Sequence, residues 1–417
     1  MKIAVWHNLP SGGGKRALYC HVRGLVERGH TVEAWCPSTA DQDYLPLSDL
    51  INMHVFPFSW KQRRFNGQIS RALTTYHNVI KNIEAMDQHC RQCAEEINRG
   101  GFDLLFANSC MFFSVSPIGR HVTIPKVIYL QEPHRRLYEA VPKLLWIAPL
   151  PPKSFWWSPR YLRMFLSNLI EVQGSRVQAR EELWNAQVFD TILVNSLFSR
   201  ESVLRAYGLD AKVCYLGVDT VKFSNLHQQR ENFVVGVGSI TPLKGIRFVI
   251  EAIGRVREPR PRLVWIGNFA SRSYLEELSQ LAQSVNVGFE PKVGIGDDEL
   301  VNTLNRASMM VYAPRLEPFG LAPLEANACG LPVIAVAEGG VRETLIDGIN
   351  GLFVEPDVNA MAKAIAYLRS EKDYARKLAE NGNRLVAKKW SLRAAVEQLE
   401  RILMDVIGTV AKQDRGA

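Results

Sequence analysis

The stretch that most constrains this chain runs from Ser308 to Pro356, SMMVYAPRLEPFGLAPLEANACGLPVIAVAEGGVRETLIDGINGLFVEP. Met309 to Tyr312 is a short apolar run that predicts a strand. A turn follows that carries Glu317, Pro318 and Gly320, then a short helix announced by Pro323 and stopped by Gly330. Proline suits the first turn of a helix because its missing N–H would be unpaired there. Glycine suits the position just past the end because it takes a left-handed conformation readily. A second strand, Pro332 to Val336, runs into Gly339–Gly340 and another helix. Further strands are predicted at Phe233 to Ile240, Arg262 to Gly267 and Val285 to Phe289, with helices between them. That alternation requires a parallel sheet covered on both faces.

The turn has a chemistry of its own. The N–H groups of Phe319, Gly320, Leu321 and Ala322 fall at the open N-terminus of the short helix, where unpaired donors and the helix dipole attract phosphate. Glu317 and Glu325 bracket that end. Beside a phosphate, their better partners are sugar or ribose hydroxyls, because a carboxylate accepts two hydroxyls at once. The plainer alternative is a solvated loop acid and a carboxylate that complements the dipole.

The first half opens in the same way. Lys2 to Trp6 predicts a buried strand, Ser11 to Gly14 a glycine-rich turn, and Lys15 to Arg28 a helix with Ala17, Leu18, Val22, Leu25 and Val26 on one face. Thr31 to Trp35 is the next strand, so the unit is Rossmann-like. A long helix is predicted over Gly67 to Ile97, strands at Phe102 to Ala107, Lys126 to Leu130, Thr191 to Asn195 and Ala211 to Tyr215, and a charged helix at Ser175 to Gln187. The polar Leu226 to Glu231 reads as a linker, and Ser391 to Val410 as a long amphipathic helix. The Lys15–Arg16 pair is a contact to phosphate or an acidic acceptor, or solvated charge. His7 faces a cleft or is structural.

Glu317, seven residues and Glu325, followed by Gly339–Gly340 and Asn350–Gly351, is similar to the signature of the retaining family 4 (group 1) glycosyltransferases. The resemblance covers nearly the whole chain, strongest from 190 to 356 and weakest from 37 to 125. It implies an α/β GT-B fold, two Rossmann-like domains facing across a cleft. Residues 1–225 would bind the acceptor and 226–391 the nucleotide sugar, with a C-terminal helix, about 392–417, crossing back to complete the first domain. It implies Lys244 at the donor pyrophosphate, Glu317 at the transferred sugar and Glu325 at the ribose. Gly13, Gly14, Gly238, Ser239, Phe319, Gly320 and Leu321 would be further donor contacts. The family usually has an arginine where Ser239 stands, so leaving-group stabilisation falls on Lys244 and helix amides, with Arg315 or Arg247 as further candidates. Many relatives have a histidine where Gln131 stands. His134, three residues on, either substitutes for it or caps a surface turn.

The reaction implied moves a sugar from a nucleotide-diphosphate sugar to a hydroxyl of a saccharide or lipid-linked acceptor, with retained configuration and with neither metal nor cofactor. A UDP-sugar is favoured over a GDP-sugar, and cell-surface polysaccharide synthesis is the expected setting. Two other readings stay open: a sugar phosphorylase with pyridoxal phosphate on a lysine, and a catalytically weak sugar-nucleotide-binding module.

Composition narrows the field. A chain of 417 residues exceeds one ordinary core. A net charge of +8 fits an anionic substrate, a membrane surface or nucleic acid. The basic residues form no single stripe, so nucleic acid is not expected. Seven scattered cysteines, an odd number, predict a reducing cytoplasm. Cys90 and Cys93 form a lone Cys-x-x-Cys, and Asp41-Gln42-Asp43 lies in a polar loop, so no metal is assigned to either. Met1 to Trp6 has too short an apolar core for a signal peptide, and no stretch of about 20 apolar residues predicts a spanning helix. Pro142 to Ile170 mixes Trp146, Phe155, Trp156, Trp157, Tyr161 and Phe165 with Lys143, Lys153, Arg160 and Arg163, and four prolines interrupt it. That mixture suits an anionic membrane interface, or a core insertion.

Overall fold

The computed structural model describes residues 1–60, 68–140, 144–148 and 158–416. The first half alternates as the apolar runs require: β1 (Lys2–Asn8), α1 (Gly13–Glu27), β2 (Thr31–Pro37), β3 (Asn52–Phe56), α2 (Gln68–Arg99), β4 (Leu104–Cys110), α3 (Ile118–His121), β5 (Lys126–Tyr129), α4 (Arg135–Tyr138), α5 (Pro159–Gln187), β6 (Thr191–Val194), α6 (Leu197–Tyr207) and β7 (Lys212–Val213). All pairings are parallel, in the order β3-β2-β1-β4-β5-β6-β7. β1 shows why its sequence is continuously apolar. Ile3 and Val5 pack with Leu18, Val22 and Leu25 of α1, while Ala4 and Trp6 pack on the other face with Cys90 and Cys93 of α2. A strand buried on both faces has no solvent side for polar residues.

The second half repeats the plan with β8 (Phe233–Val237), α7 (Ile246–Gly254), β9 (Arg262–Gly267), α8 (Arg272–Ser284), β10 (Phe289–Val293), α9 (Asp297–Arg306), β11 (Met309–Tyr312), α10 (Leu321–Ala328), β12 (Val333–Val336), α11 (Val341–Thr344), β13 (Leu352–Val354), α12 (Val358–Ser370), α13 (Lys372–Lys389) and α14 (Leu392–Gly416). Its strand order is β10-β9-β8-β11-β12-β13, again all parallel. In each sheet the order reverses at the first strand, between β1 and β4 and between β8 and β11. Ligands bind open α/β sheets at the carboxyl ends of strands beside such a reversal.

α14 leaves the second sheet and packs on the first. Val218 N–H donates to the Trp390 carbonyl and Leu392 N–H to the Val218 carbonyl, both at 2.8 Å. Val396, Leu399, Leu403 and Val406 then join the core beneath α1. Arg28 and His30 of the first domain pair with Glu400 at 2.6 Å each.

Two expectations change. The strand expected at Val285 to Phe289 is β10, Phe289–Val293. Val285 caps α8, Asn286 turns the chain with a φ of 53°, and Val287 is buried before the ladder begins. The helix expected from Ser175 begins at Pro159. Ser158 accepts a hydrogen bond from Tyr161 N–H at 3.2 Å, so Pro159 opens the helix rather than breaking it. Cys90 and Cys93 are buried free thiols whose burial raises both pKa values, which leaves them unreactive. Pro142, Lys143, Lys153, Phe155, Trp156 and Trp157 lie outside the described residues.

Glu182 of α5 is fully buried and accepts from Gln178 at 3.1 Å and Tyr207 at 3.2 Å. Burial pushes its carboxyl from 4.5 up to about 8, against those two hydrogen bonds. The folded state therefore keeps a proton that the unfolded chain releases. Stability falls as pH rises through that window, by at most about 1.4 kcal/mol per unit from this group. Urea unfolding of wild type and Glu182→Gln across the window should show a flatter profile in the variant. Parallel profiles would disprove the assignment.

Candidate active site

The second domain supplies one wall of the cleft. β8 runs out through Gly238, whose carbonyl accepts from the Trp265 indole N–H at 2.8 Å. Ser239 follows, and a single turn over Pro242–Lys244 ends in Lys244. Lys244 Nζ lies 2.6 Å from Glu317 Oε2, with both side chains about three-quarters buried. Glu317 stands on the turn after β11, and Gly339–Gly340 hold that turn. Gly340 N–H donates to the Glu317 carbonyl at 2.8 Å. A Cβ at Gly340 would lie 2.0 Å from the Pro318 carbonyl oxygen, so only glycine permits this approach. Gly320 is the N-cap of α10, and no side chain caps that end. Its first amides have no partner within the helix.

Glu325 and Phe319 are less open than the turn around them. Glu325, in α10, is buried, with Arg16 Nε 3.5 Å from its Oε1. Burial raises its pKa while Arg16 opposes the shift. The ring of Phe319 packs between Tyr215 and Trp390 at 6.3 and 5.8 Å, so only its backbone is free for a ligand. Leu321 lines a small crevice with Glu325, Arg16 and Asp297.

The first domain faces this wall with the ends of β1, β4 and β5. Gly13 opens α1, and Gly14 lies against Gln131, whose Nε2 would sit 2.9 Å from a Cβ there. Lys15 and His7 are both fully buried, and neither side chain has a hydrogen-bond partner among the described residues. Burial lowers both pKa values. The charge of the Lys15–Arg16 pair is therefore not solvated, since Arg16 is engaged across the cleft. Arg135 also crosses it, donating to the Leu316 carbonyl at 2.5 Å and the Arg315 carbonyl at 3.2 Å. Its Nε holds Glu132, whose carboxyl burial pushes up to about 7 against that pairing. His134 lines a cavity of about 590 Å³ with Ser109, Met111, Gln131 and Leu243. Leu243 precedes Lys244, so the cavity spans both domains. Burial lowers the His134 pKa, and its Nδ1 has no partner among the described residues.

The structure thus brings Lys244, Glu317, Glu325, the α10 terminus and His134 to one cleft. It leaves Arg247 outside, on the outer face of α7 with Glu251 and Glu277. Arg315 pairs with Glu338 at 2.7 Å. Asp41 accepts from Tyr44 N–H at 2.8 Å. Three groups escaped the sequence reading: Arg16 as a bridging residue, its partner Asp297, and Glu343. Glu343 accepts from Leu197 N–H, Phe198 N–H and the Tyr215 hydroxyl of the first domain. No local pattern announces such pairings, which join residues more than 100 positions apart.

Two Rossmann-like sheets facing across a cleft, joined by a returning C-terminal helix, define a GT-B protein. Residues 218–385 match the sequence model described as Glycosyl transferases group 1. It is 28% identical over 239 residues to a GDP-mannose-dependent alpha-(1-6)-phosphatidylinositol monomannoside mannosyltransferase of Mycolicibacterium smegmatis, covering 51% of this chain and 62% of that one. In fold it resembles sucrose-phosphate synthase from Thermosynechococcus elongatus, with a TM-score of 0.71 at 19% identity over 98% of this chain and all of that one. It also resembles Anabaena HepE in complex with UDP and glucose, with a TM-score of 0.67 at 19% identity over 97% and 99% of the two chains. The chain spans about half the length of the first curated relatives it matches, 47%, 47% and 61%.

Gly340→Ala should push the Glu317 turn out of place. The expected cost is about 1–3 kcal/mol of stability, typical of overpacking, read as a lower urea midpoint. A variant as stable as wild type would mean that the turn moves freely.

Proposed function

We propose that the protein transfers a sugar from a nucleotide-diphosphate sugar to a hydroxyl of a saccharide or lipid-linked acceptor, with retention of configuration, in cell-surface polysaccharide synthesis. The observation that carries this reading is the Lys244–Glu317 pair beside the uncapped start of α10. A donor pyrophosphate laid across that helix end meets a dipole and a cation together. Lys244 exchanges Glu317 for phosphate and neutralises the charge that grows on the leaving group. Glu317, released, accepts from hydroxyls of the transferred sugar, and Glu325 accepts from the ribose. Gly13, Gly14, Gly238, Ser239, Phe319, Gly320 and Leu321 supply backbone approach to the donor. The departing phosphate oxygen takes the acceptor proton on the front face, so no protein nucleophile is needed. The cavity around His134 receives the acceptor, and its volume is that of a small-molecule site. Charge stabilisation in this scheme comes from Lys244 and the helix amides, so activity should survive EDTA.

A UDP-sugar is the first donor to test. The GDP-mannose-dependent relative supports a GDP-sugar as the second reading. Lys244→Ala should lower turnover about a hundredfold, the scale of losing one transition-state donor, with a smaller loss of donor affinity. Titration calorimetry with UDP and GDP should find weaker binding in Glu325→Ala, whereas Glu317→Ala keeps nucleotide binding and loses transfer. Equal loss of nucleotide affinity in both would contradict the division of roles.

The acceptor domain would act at the anionic inner face of a membrane, presenting a lipid-linked acceptor from the cytoplasmic side. Supporting this, Leu162, Phe165, Leu166 and Leu169 of α5 follow helical spacing and are 38–49% exposed. Arg160 and Arg163 are exposed beside them. An apolar stripe edged with arginine suits an anionic interface. No described helix is long and apolar enough to cross a membrane. All seven cysteines are free, which fits a reducing compartment. Wild type should float with anionic liposomes, while Phe165→Glu/Leu166→Glu stays in the dense fraction with an unchanged melting temperature. Equal flotation of the two, or none by wild type, removes this reading.

A further inference from the structure

Arg16 bridges the two domains with its side chain. It lies in the first turns of α1, yet its guanidinium donates to both oxygens of Asp297 at the start of α9. It also donates to the Tyr44 hydroxyl at 2.7 Å, and its Nε is the group beside Glu325. Its side chain is only 12% exposed. Lys222 closes on Asp297 from the other side at 2.6 Å. The crevice among these groups is about 30 Å³, room for a water.

We propose that Arg16 is a positioning residue that couples domain closure to the nucleotide site, giving Glu325 its partner when the domains meet and removing it when they part. The proposal rests on the reading of Glu325 as the ribose carboxylate. The groups facing Glu325 are Arg16 and Cys20 of α1, Tyr44, Asp297 of α9, Tyr312 of β11 and Cys329 of α10. Burial keeps the thiols and phenols neutral. Arg16 and Lys222 keep Asp297 ionised, so it repels a charge on Glu325. Arg16 is the cation of the set, and it comes from the opposite domain. A buried carboxylate without a partner takes a proton instead. Parting the domains takes that cation away, so Glu325 is no longer held in place toward the ribose hydroxyls, which favours release of the spent nucleotide. Joining them restores the partner, so donor binding and closure reinforce each other.

The test is calorimetric titration of UDP and of GDP into the full chain, for wild type, Arg16→Gln, Arg16→Lys, Glu325→Gln and Arg16→Gln/Glu325→Gln. Wild type should bind with little dependence on pH. Arg16→Gln should bind about tenfold more weakly near pH 5.5, the effect of a one-unit shift in one carboxyl, and recover toward about pH 8.5 as Glu325 ionises. Arg16→Lys should recover most of the lost affinity. In the Glu325→Gln background, Arg16→Gln should add no pH-dependent loss. Wild-type affinity in Arg16→Gln at every pH overturns the proposal, and so does an equal loss at every pH, which marks a merely structural residue. If Glu325→Gln binds as tightly as wild type, or wild type binds neither nucleotide, the ribose reading fails and takes the proposal with it.

Discussion

Two backbone hydrogen bonds at Val218 fasten the returning chain to the first domain. They tie the last strand connection of the first domain to Trp390, where the chain turns back from the second. Trp390 packs edge-on against Tyr215 of the first domain and against Phe319 of the turn before α10. The crossing is thereby built into the turn that carries Glu317. Arg135, Ser196 and Glu343 then bond across the cleft to residues on either side of that turn or to the first domain's α6. A shift of one domain against the other must disturb these contacts together. Any such shift would break them as a set rather than one by one, as expected for packed interfaces.

Much of this was legible in the sequence. Continuous apolar runs such as Lys2 to Trp6 and Met309 to Tyr312 have no reading but buried parallel strands, and they are β1 and β11. Glu317 and Glu325 sit within one strand-turn-helix and Gly339–Gly340 just past the next strand, so local spacing located them. What could not be read is what lies far apart in the chain. Arg16 meets Asp297 over 281 positions, and Glu343 meets Leu197 over 146. Local errors had local causes: a left-handed Asn286 delayed β10, and Pro159 served as a helix opener among prolines that read as breakers.

The pairing of Lys244 with Glu317 also bears on how readily a ligand enters. A partly exposed ion pair contributes only about 0–1 kcal/mol. Two cleft residues of opposite charge therefore satisfy one another at little cost to whatever displaces them. In the proposed reaction a diphosphate would offer Lys244 more negative charge than one carboxylate does, and sugar hydroxyls would occupy the carboxylate in return. The cleft is poised for exchange rather than for insertion against unpaired charge. Lys15 and His7 follow the opposite rule, since burial keeps them unpaired and favours their neutral forms.

The returning helix has a consequence for how the protein is made. α1 leaves the ribosome long before the residues that cover it, Val396 through Val406. Domains generally fold as units in order of synthesis. Here the first domain must wait, its apolar flank uncovered, until the second has emerged and folded. During that interval the nascent chain presents a ready surface for a chaperone.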